Sequence, residues 1–173
     1  RMSQLNNLFD KDKVQVATDI LIQKLAELQL HDGGFVWYKY PNATSSVHTT
    51  LSVLQVLGRI KALNAISDNN KLNDIIAKAI KYIDNELIKL YEQQKNKSDY
   101  SGYLQFAYTR SLFLYVPINK NAENLYEKIS QSLAKEWKEM NIANKAFTAI
   151  TLTNFEMIDQ ARPILESINQ FSI

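Results

Sequence analysis

Glycine and proline are scarce in this chain, and their scarcity limits what it can fold into. Only four glycines and three prolines occur among 173 residues, and these residues most often interrupt regular secondary structure. The apolar residues between them recur almost throughout at the spacing of a helix face. The clearest stripe is Leu72, Ile75, Ile76, Ile80, Ile83, Leu87 and Leu90. The sequence therefore predicts an all-α fold, and a hydrophobic content of 46% over this length predicts a single domain, 1–173.

Seven helices are predicted, with the ranges 14–29, 47–63, 71–93, 102–115, 122–140, 144–155 and 160–171. The residues of the first helix expected to face the core are Ile20, Leu21, Leu25 and Leu28. Those of the fifth are Leu125, Ile129, Leu133 and Trp137. In the last helix, Asp159 is the predicted N-cap, and Pro163 is placed in the first turn, where proline is tolerated.

The predicted helices alternate in character. The third, fifth and seventh have a broad polar face, whereas 102–115 and 144–155 contain few charged residues. A helix that is apolar on nearly all sides must be covered on most of them. We therefore expect two layers, with inner helices lying inside outer ones, as in an α/α toroid. Because seven helices are too few to close such a ring, the predicted architecture is a partial toroid of antiparallel helical hairpins.

Composition excludes several functions. A net charge of +2 gives no electrostatic basis for nucleic-acid binding. The chain has no cysteine, which rules out disulfides, thiolate metal sites and cysteine nucleophiles. No run approaches the roughly 20 apolar residues of a membrane span, and no P-loop, Rossmann, serine-hydrolase or zinc motif predicts a cofactor or metal. The opening residues 1–4 predict an excised piece of a longer protein.

The first two predicted helices are joined by the segment Gln29-Leu30-His31-Asp32-Gly33-Gly34-Phe35-Val36-Trp37. Gly33 and Gly34 allow a positive φ or a close backbone approach, and Asp32 is expected to accept backbone hydrogen bonds that fix a turn. Phe35 and Trp37 lie two apart and are predicted to point to the same side of an extended segment. Gln29 is expected to accept hydrogen bonds from the free N–H groups where the next helix begins. These residues predict a structural loop motif with no catalytic role.

This loop resembles the Gln-x-x-Asp-Gly-Gly-aromatic signature of α/α-toroid proteins, which include terpene cyclases, protein prenyltransferases and the thioester domain of α2-macroglobulin and complement-like proteins. In detail it is similar to bacterial α2-macroglobulins, because Pro41 and a Ser/Thr-rich stretch follow the loop and Leu57-Gly58 lies in the next helix. The run 103–110 is also similar. The clear resemblance covers residues 20–63.

The resemblance implies a bacterial endopeptidase inhibitor that entraps proteases and is exported, to the periplasm or cell envelope. This segment would be a structural and interaction module of the thioester-type helical domain, without catalysis of its own. Its partners would be proteases, reached through the parent protein, and other domains of the same chain. Thioester-bearing members of the family use a Cys-x-x-Gln motif, which this cysteine-free chain does not contain.

Two other classes of function stay open. An α/α-barrel enzyme acting on a polysaccharide, a glycosidase or lyase, would use Asp32 and Asp99 as general acid and base. The competing interpretation is that both carboxylates cap turns and helix ends. A terpene or prenyl-transfer enzyme is less favoured, because the Asp-rich clusters of that chemistry do not occur in the sequence.

Several smaller clusters have both a chemical and a structural interpretation. His31 and His48, the only histidines, could hold a metal together with Asp32, but their spacing matches no zinc motif. Arg110, which follows several tyrosines, could bind an anion or belong to a buried hydrogen-bond network. The aromatic side chains of the loop could stack on a sugar, bind a peptide, or brace the helix ends. They are Phe35, Trp37, Tyr38 and Tyr40.

Overall fold

The computed structural model describes residues 11–63, 69–94 and 100–170. No β-strand forms in these ranges, and the all-α prediction is confirmed. The helices are α1 Lys11–Leu28, α2 Val47–Ala62, α3 Asn70–Gln93, α4 Leu104–Ser111, α5 Lys120–Glu136, α6 Ile142–Asn154 and α7 Ile158–Asn169. Short 3₁₀ turns, Ser101–Tyr103 and Trp137–Glu139, precede α4 and follow α5. None of the described helices is long and apolar enough to cross a membrane.

Side-chain caps set where four of the helices begin. Ser46 Oγ accepts the backbone N–H of Thr49 at 3.2 Å at the start of α2. Asn69, Asn119 and Asn141 cap α3, α5 and α6 in the same way, at 3.1, 2.9 and 2.9 Å. Each cap satisfies an N–H group that has no partner inside the helix. Because of these asparagines, α3, α5 and α6 begin one or two residues before their predicted starts.

Helix α7 begins differently from the prediction. The chain reverses directly after α6, with Glu156 at φ 62° and the Met157 N–H bonded to Leu152 O at 2.8 Å. Met157 therefore occupies the N-cap position, and Asp159 lies inside the first turn. Pro163 lies inside the helix, beyond its first turn. The predictions for both residues are wrong, and the interior proline removes a backbone hydrogen bond from α7.

The helices pack with a regular alternation. Helix α1 contacts α3 and α3 contacts α5, while α2 contacts α4 and α4 contacts α6. Successive helices from α2 to α7 also contact each other. From α1 to α6, odd- and even-numbered helices thus follow one another in two rows, while α7 packs mainly on α6. Helix α4 is buried at every position except Gln105. Helix α6 is less covered than its low charge predicted, because Ile142 and Ile150 are 54% and 42% exposed.

One main hydrophobic cluster lies between α2, α3, α4, α5 and the loop after α1. The α3 stripe is buried as predicted from Leu72 to Leu87, whereas Leu90, in the last turn, is 39% exposed. The predicted inward residues of α5, Leu125, Ile129 and Leu133, are also buried. Trp137 packs against a second, smaller cluster formed by α6 and α7.

The predicted inward face of α1 is partly wrong. Ile20 and Leu21 are 52% and 61% exposed, and Ile22 is buried instead. Leu25 and Leu28 are half-buried against the main cluster. Because α3 is the main helical neighbour of α1 among the described residues, only a narrow face of this helix is covered.

Candidate functional site: the Asp-Gly-Gly loop and a buried arginine network

The loop between α1 and α2 folds back on itself. Phe35 forms isolated β-bridges with Gln29 before the turn and with Ser46 after it. The Leu30 N–H donates to Gly34 O at 2.9 Å, and the Ser46 N–H donates to Phe35 O at 2.9 Å. The loop is therefore an ordered connection between the two helices, as the sequence predicted.

Asp32 fixes the turn in the predicted way. Its Oδ1 accepts the backbone N–H of Gly34 at 3.0 Å and the hydroxyl of Ser45 at 2.6 Å. The first bond closes the turn locally, as short acidic side chains commonly do. The second bond ties the turn to the segment that enters α2. One carboxylate oxygen thus connects both ends of the loop.

Gly33 and Gly34 meet two different steric requirements. Gly33 has a φ of 91°, in the region that favours glycine, and a Cβ there would lie 2.8 Å from the carbonyl carbon of Lys78 in α3. A Cβ on Gly34 would lie 2.7 Å from Ser45 Oγ and 2.8 Å from the ring of Tyr82. The two glycines therefore let the loop backbone lie directly against α3.

Gln29 has a different role from the one predicted. Its Nε2 donates to Gly33 O and to Ile75 O, both at 2.9 Å. It therefore ties the loop to α3, whereas Ser46 caps the free N–H groups of α2. The prediction assumed a contact with the next element in sequence. The observed contact joins residues 46 positions apart, which local reasoning could not find.

The aromatic residues of the loop divide into a buried and an exposed set. Phe35 is 1% exposed, whereas Trp37 is 82% exposed. The prediction that they point to one side is wrong, because the backbone bends at Trp37 and Tyr38 and the alternation of an extended strand does not continue. Tyr38 and Tyr40 are also exposed, with ring centroids 5.6 Å apart. We call Trp37, Tyr38 and Tyr40 the aromatic tip.

The structure describes some, but not all, of the residues predicted as metal ligands or as an acid–base pair. His31 and His48 are both exposed. The described part of the chain contains no group of three His, Asp or Glu side chains that could hold a metal. Asp99, the expected partner of Asp32, lies outside the described residues, so their pairing stays a prediction.

A buried polar network joins α3, α4 and α5. Arg110 and Asp84 are each 2% exposed, and Arg110 Nε lies 3.9 Å from Asp84 Oδ1. The Tyr126 hydroxyl donates to the same oxygen at 2.9 Å. Arg110 Nη1 and Nη2 donate to the carbonyls of Phe113 and Val116 at 3.2 and 2.6 Å. Because these bonds hold the turn after α4, that helix ends at 111 and not at the predicted 115.

This geometry confirms that Arg110 belongs to a buried network. Its observed partners, Asp84 and two backbone carbonyls, were not predicted, since the tyrosines near Arg110 in sequence were the expected partners. Tyr108 instead accepts a hydrogen bond from Arg59 Nε at 3.2 Å. Asp84 directly follows Ile83 of the apolar stripe of α3, and this position could have indicated that it is buried. A buried carboxylate requires a partner, so a search for one could have led to Arg110.

Burial and charge act in opposite directions on the network. Burial raises the pKa of Asp84 above its ordinary value, while the Arg110 charge and the Tyr126 hydrogen bond lower it. Burial is also the main reason why the pKa of Tyr126 lies well above its ordinary value, and the Asp84 carboxylate adds to that increase. Removing either partner of Asp84 would leave a buried charge poorly compensated.

Comparison with known proteins found no matching family model, no matching curated protein and no matching solved structure.

Proposed function

We propose that this chain is a segment of a bacterial α2-macroglobulin-like protein that entraps proteases. The Asp-Gly-Gly loop carries this proposal, because the residues of the resemblance are also those with defined contacts. Asp32 closes the turn, the two glycines permit close approach to α3, and Gln29 bonds to α3. The motif therefore acts as the joint that fixes one helical hairpin against the next.

The helix contacts support a partial α/α toroid. The alternate contacts among α1, α3 and α5 and among α2, α4 and α6 are those expected of an outer and an inner row. Apolar side chains are also exposed in the first and last described helices, as they are at some positions between them. In α1, Val16 and Ile20 are 59% and 52% exposed, and in α7, Ile158 and Leu165 are 48% and 47% exposed. Further helices of a longer chain would cover such surfaces.

A structural role for Asp32 favours a module without its own catalysis. Its Oδ1 accepts two hydrogen bonds within the loop, which gives this exposed carboxylate a structural task. The chain also contains no cysteine that could form a thioester. In this proposal, the parent protein is exported to the periplasm or cell envelope and traps its target sterically or through a thioester elsewhere.

The aromatic tip is the proposed contact with another domain of the parent. Trp37, Tyr38 and Tyr40 are more than half exposed, and tryptophan and tyrosine are enriched where proteins meet. Their backbone is held on one side by the buried Phe35 and on the other by the bond from the Ala43 N–H to Tyr40 O at 3.1 Å. Aromatic side chains have few rotatable bonds and lose little conformational entropy when a partner covers them.

The test uses the longer protein that contains this segment. It is mixed with a broad-specificity protease, and residual activity is assayed on a small chromogenic peptide and on a large protein substrate. Entrapment predicts loss of activity on the large substrate and retention on the small one. Unchanged activity on both substrates would overturn the proposal.

A matched pair of variants tests the part played by the aromatic tip. Trp37→Ala in the longer protein should weaken entrapment, whereas Tyr115→Ala, which removes a ring that is 57% exposed elsewhere, should not. Equal behaviour of the two variants would show that the tip makes no functional contact. A glycan-degradation assay with Asp32→Asn tests the polysaccharide alternative, which requires turnover that this variant abolishes.

A further inference from the structure

A cavity of about 500 Å³ opens beside the buried arginine network. This volume lies in the range of small-molecule sites in proteins. Arg110 and Tyr126, at 2% and 3% exposure, form its inner end. Both side chains are already bonded, Arg110 to two carbonyls and Tyr126 to Asp84. The inner end is therefore polar but internally satisfied, and its positive charge is balanced by Asp84.

The walls of the cavity are apolar. Leu114 and Ile118, from the connection between α4 and α5, form one part. Phe155 and Met157, from the reversal between α6 and α7, form another. Leu114 is 51% exposed, so its side chain is open to a ligand. An aliphatic group placed among these four side chains would remove apolar surface from water.

The mouth of the cavity is acidic. Glu123 and Glu127, both exposed, lie one turn apart on α5 and line the opening. Lys120 pairs with Glu123 at 2.9 Å. Glu127 forms no ion pair within 4 Å in the described ranges, and its Oε1 accepts a hydrogen bond from Gln131 at 3.3 Å. Lys120 also attracts Glu127 at longer range. Two glutamates thus face one lysine at the opening, and the net charge there is negative.

We infer that this cavity binds a primary ammonium carried on an aliphatic stem. The stem would lie among Leu114, Ile118 and Met157, and the cation would face Glu127. The nearby ring of Phe155 can also attract a cation. This inference does not depend on the protease-entrapping function, since it rests only on the shape and charge of the cavity.

The probe is hexylammonium, with hexanoate as a control of equal length and opposite charge. Binding is followed by NMR of labelled methionine methyl groups, because Met157 lines the cavity and Met140, which lies against Thr148, does not. A seven-atom ligand should bind with a dissociation constant on the order of 1 mM. We expect hexylammonium to shift the Met157 signal with saturation while Met140 stays in place. No shift at Met157, or an equal shift with hexanoate, would overturn the inference.

Two charge-matched variants locate the cation. Glu127→Gln should weaken hexylammonium binding by about threefold or more, whereas Glu27→Gln, on the distant helix α1, should leave it unchanged. Equal affinity of the two variants would contradict the assigned site. A lysine blocked at both backbone ends is then compared with hexylammonium, to distinguish the two sources of the ammonium group. If the blocked lysine binds more tightly, the natural ligand is a lysine side chain of a peptide. If it binds more weakly, the natural ligand is a free amine.

Discussion

Replacing Gly33 by alanine should destabilise the protein through two effects at one position. The φ of 91° costs a residue with a Cβ about 1–2 kcal/mol, and the new Cβ would lie 2.8 Å from the carbonyl carbon of Lys78. Because that neighbour is helix backbone and cannot rotate away, relieving the overlap should cost a further 1–3 kcal/mol or so. The lower entropy of the unfolded alanine chain offsets up to about 1 kcal/mol.

The expected net loss of unfolding free energy is therefore about 1–5 kcal/mol. For a chain of this length it corresponds to a fall in melting temperature of roughly 2–20 °C. Urea unfolding followed by far-ultraviolet circular dichroism measures the free energy directly.

The matched control is Gly102→Ala. A Cβ at Gly102 would meet no atom within 4 Å, and its φ is not in the left-handed region. The same chemical change should therefore alter stability by less than about 1 kcal/mol. If Gly33→Ala and Gly102→Ala unfold at the same urea concentration, the loop is not held against α3 in the way described.

Three further predictions concern residues whose surroundings the structure defines. Phe35→Ala should lower the free energy of urea unfolding by about 3–5 kcal/mol, because the ring is 1% exposed. Trp37→Ala should change it by less than about 0.5 kcal/mol. Similar losses for the two variants would contradict the burial assigned to these residues. Since the folded-state pKa of Asp84 is raised, its ionisation lowers stability as pH rises above about 4. The unfolding free energy of the unsubstituted chain and of Asp84→Asn is compared across acidic pH. Only the unsubstituted chain should show this fall, and parallel pH profiles would refute the prediction. Pro163→Ala should raise the melting temperature of the chain, because it restores an N–H inside α7, and an unchanged or lower value in calorimetry would contradict that reason.

The sequence predicted those parts of the fold that depend on neighbours along the chain. The apolar stripe of α3 was found because its period matches the helix, and its burial from Leu72 to Leu87 followed. The turn at Asp32 and the need for Gly33 and Gly34 were also predicted, since an acidic side chain and two glycines act on the backbone beside them.

Other features were not predicted, because they depend on contacts between distant segments. Which face of α1 is covered depends on a single main neighbour, so Ile20 and Leu21 remain exposed. The bond from Gln29 to Ile75 and the pairing of Asp84 with Arg110 join helices that lie far apart in sequence. A period or motif cannot specify such partners.

By itself, the sequence determined that this protein is helical and that an ordered glycine-bearing turn follows its first helix. These properties arise from local backbone preferences and from the spacing of apolar residues. Only the tertiary structure decided which surfaces of the helices and of the loop are buried and which are exposed to solvent. It placed Phe35 in the core and Trp37 in solvent, and it left a cavity with an acidic mouth beside a buried arginine. The physical reason is that burial depends on how whole helices pack in space, and that packing brings together residues whose separation along the chain carries no signal.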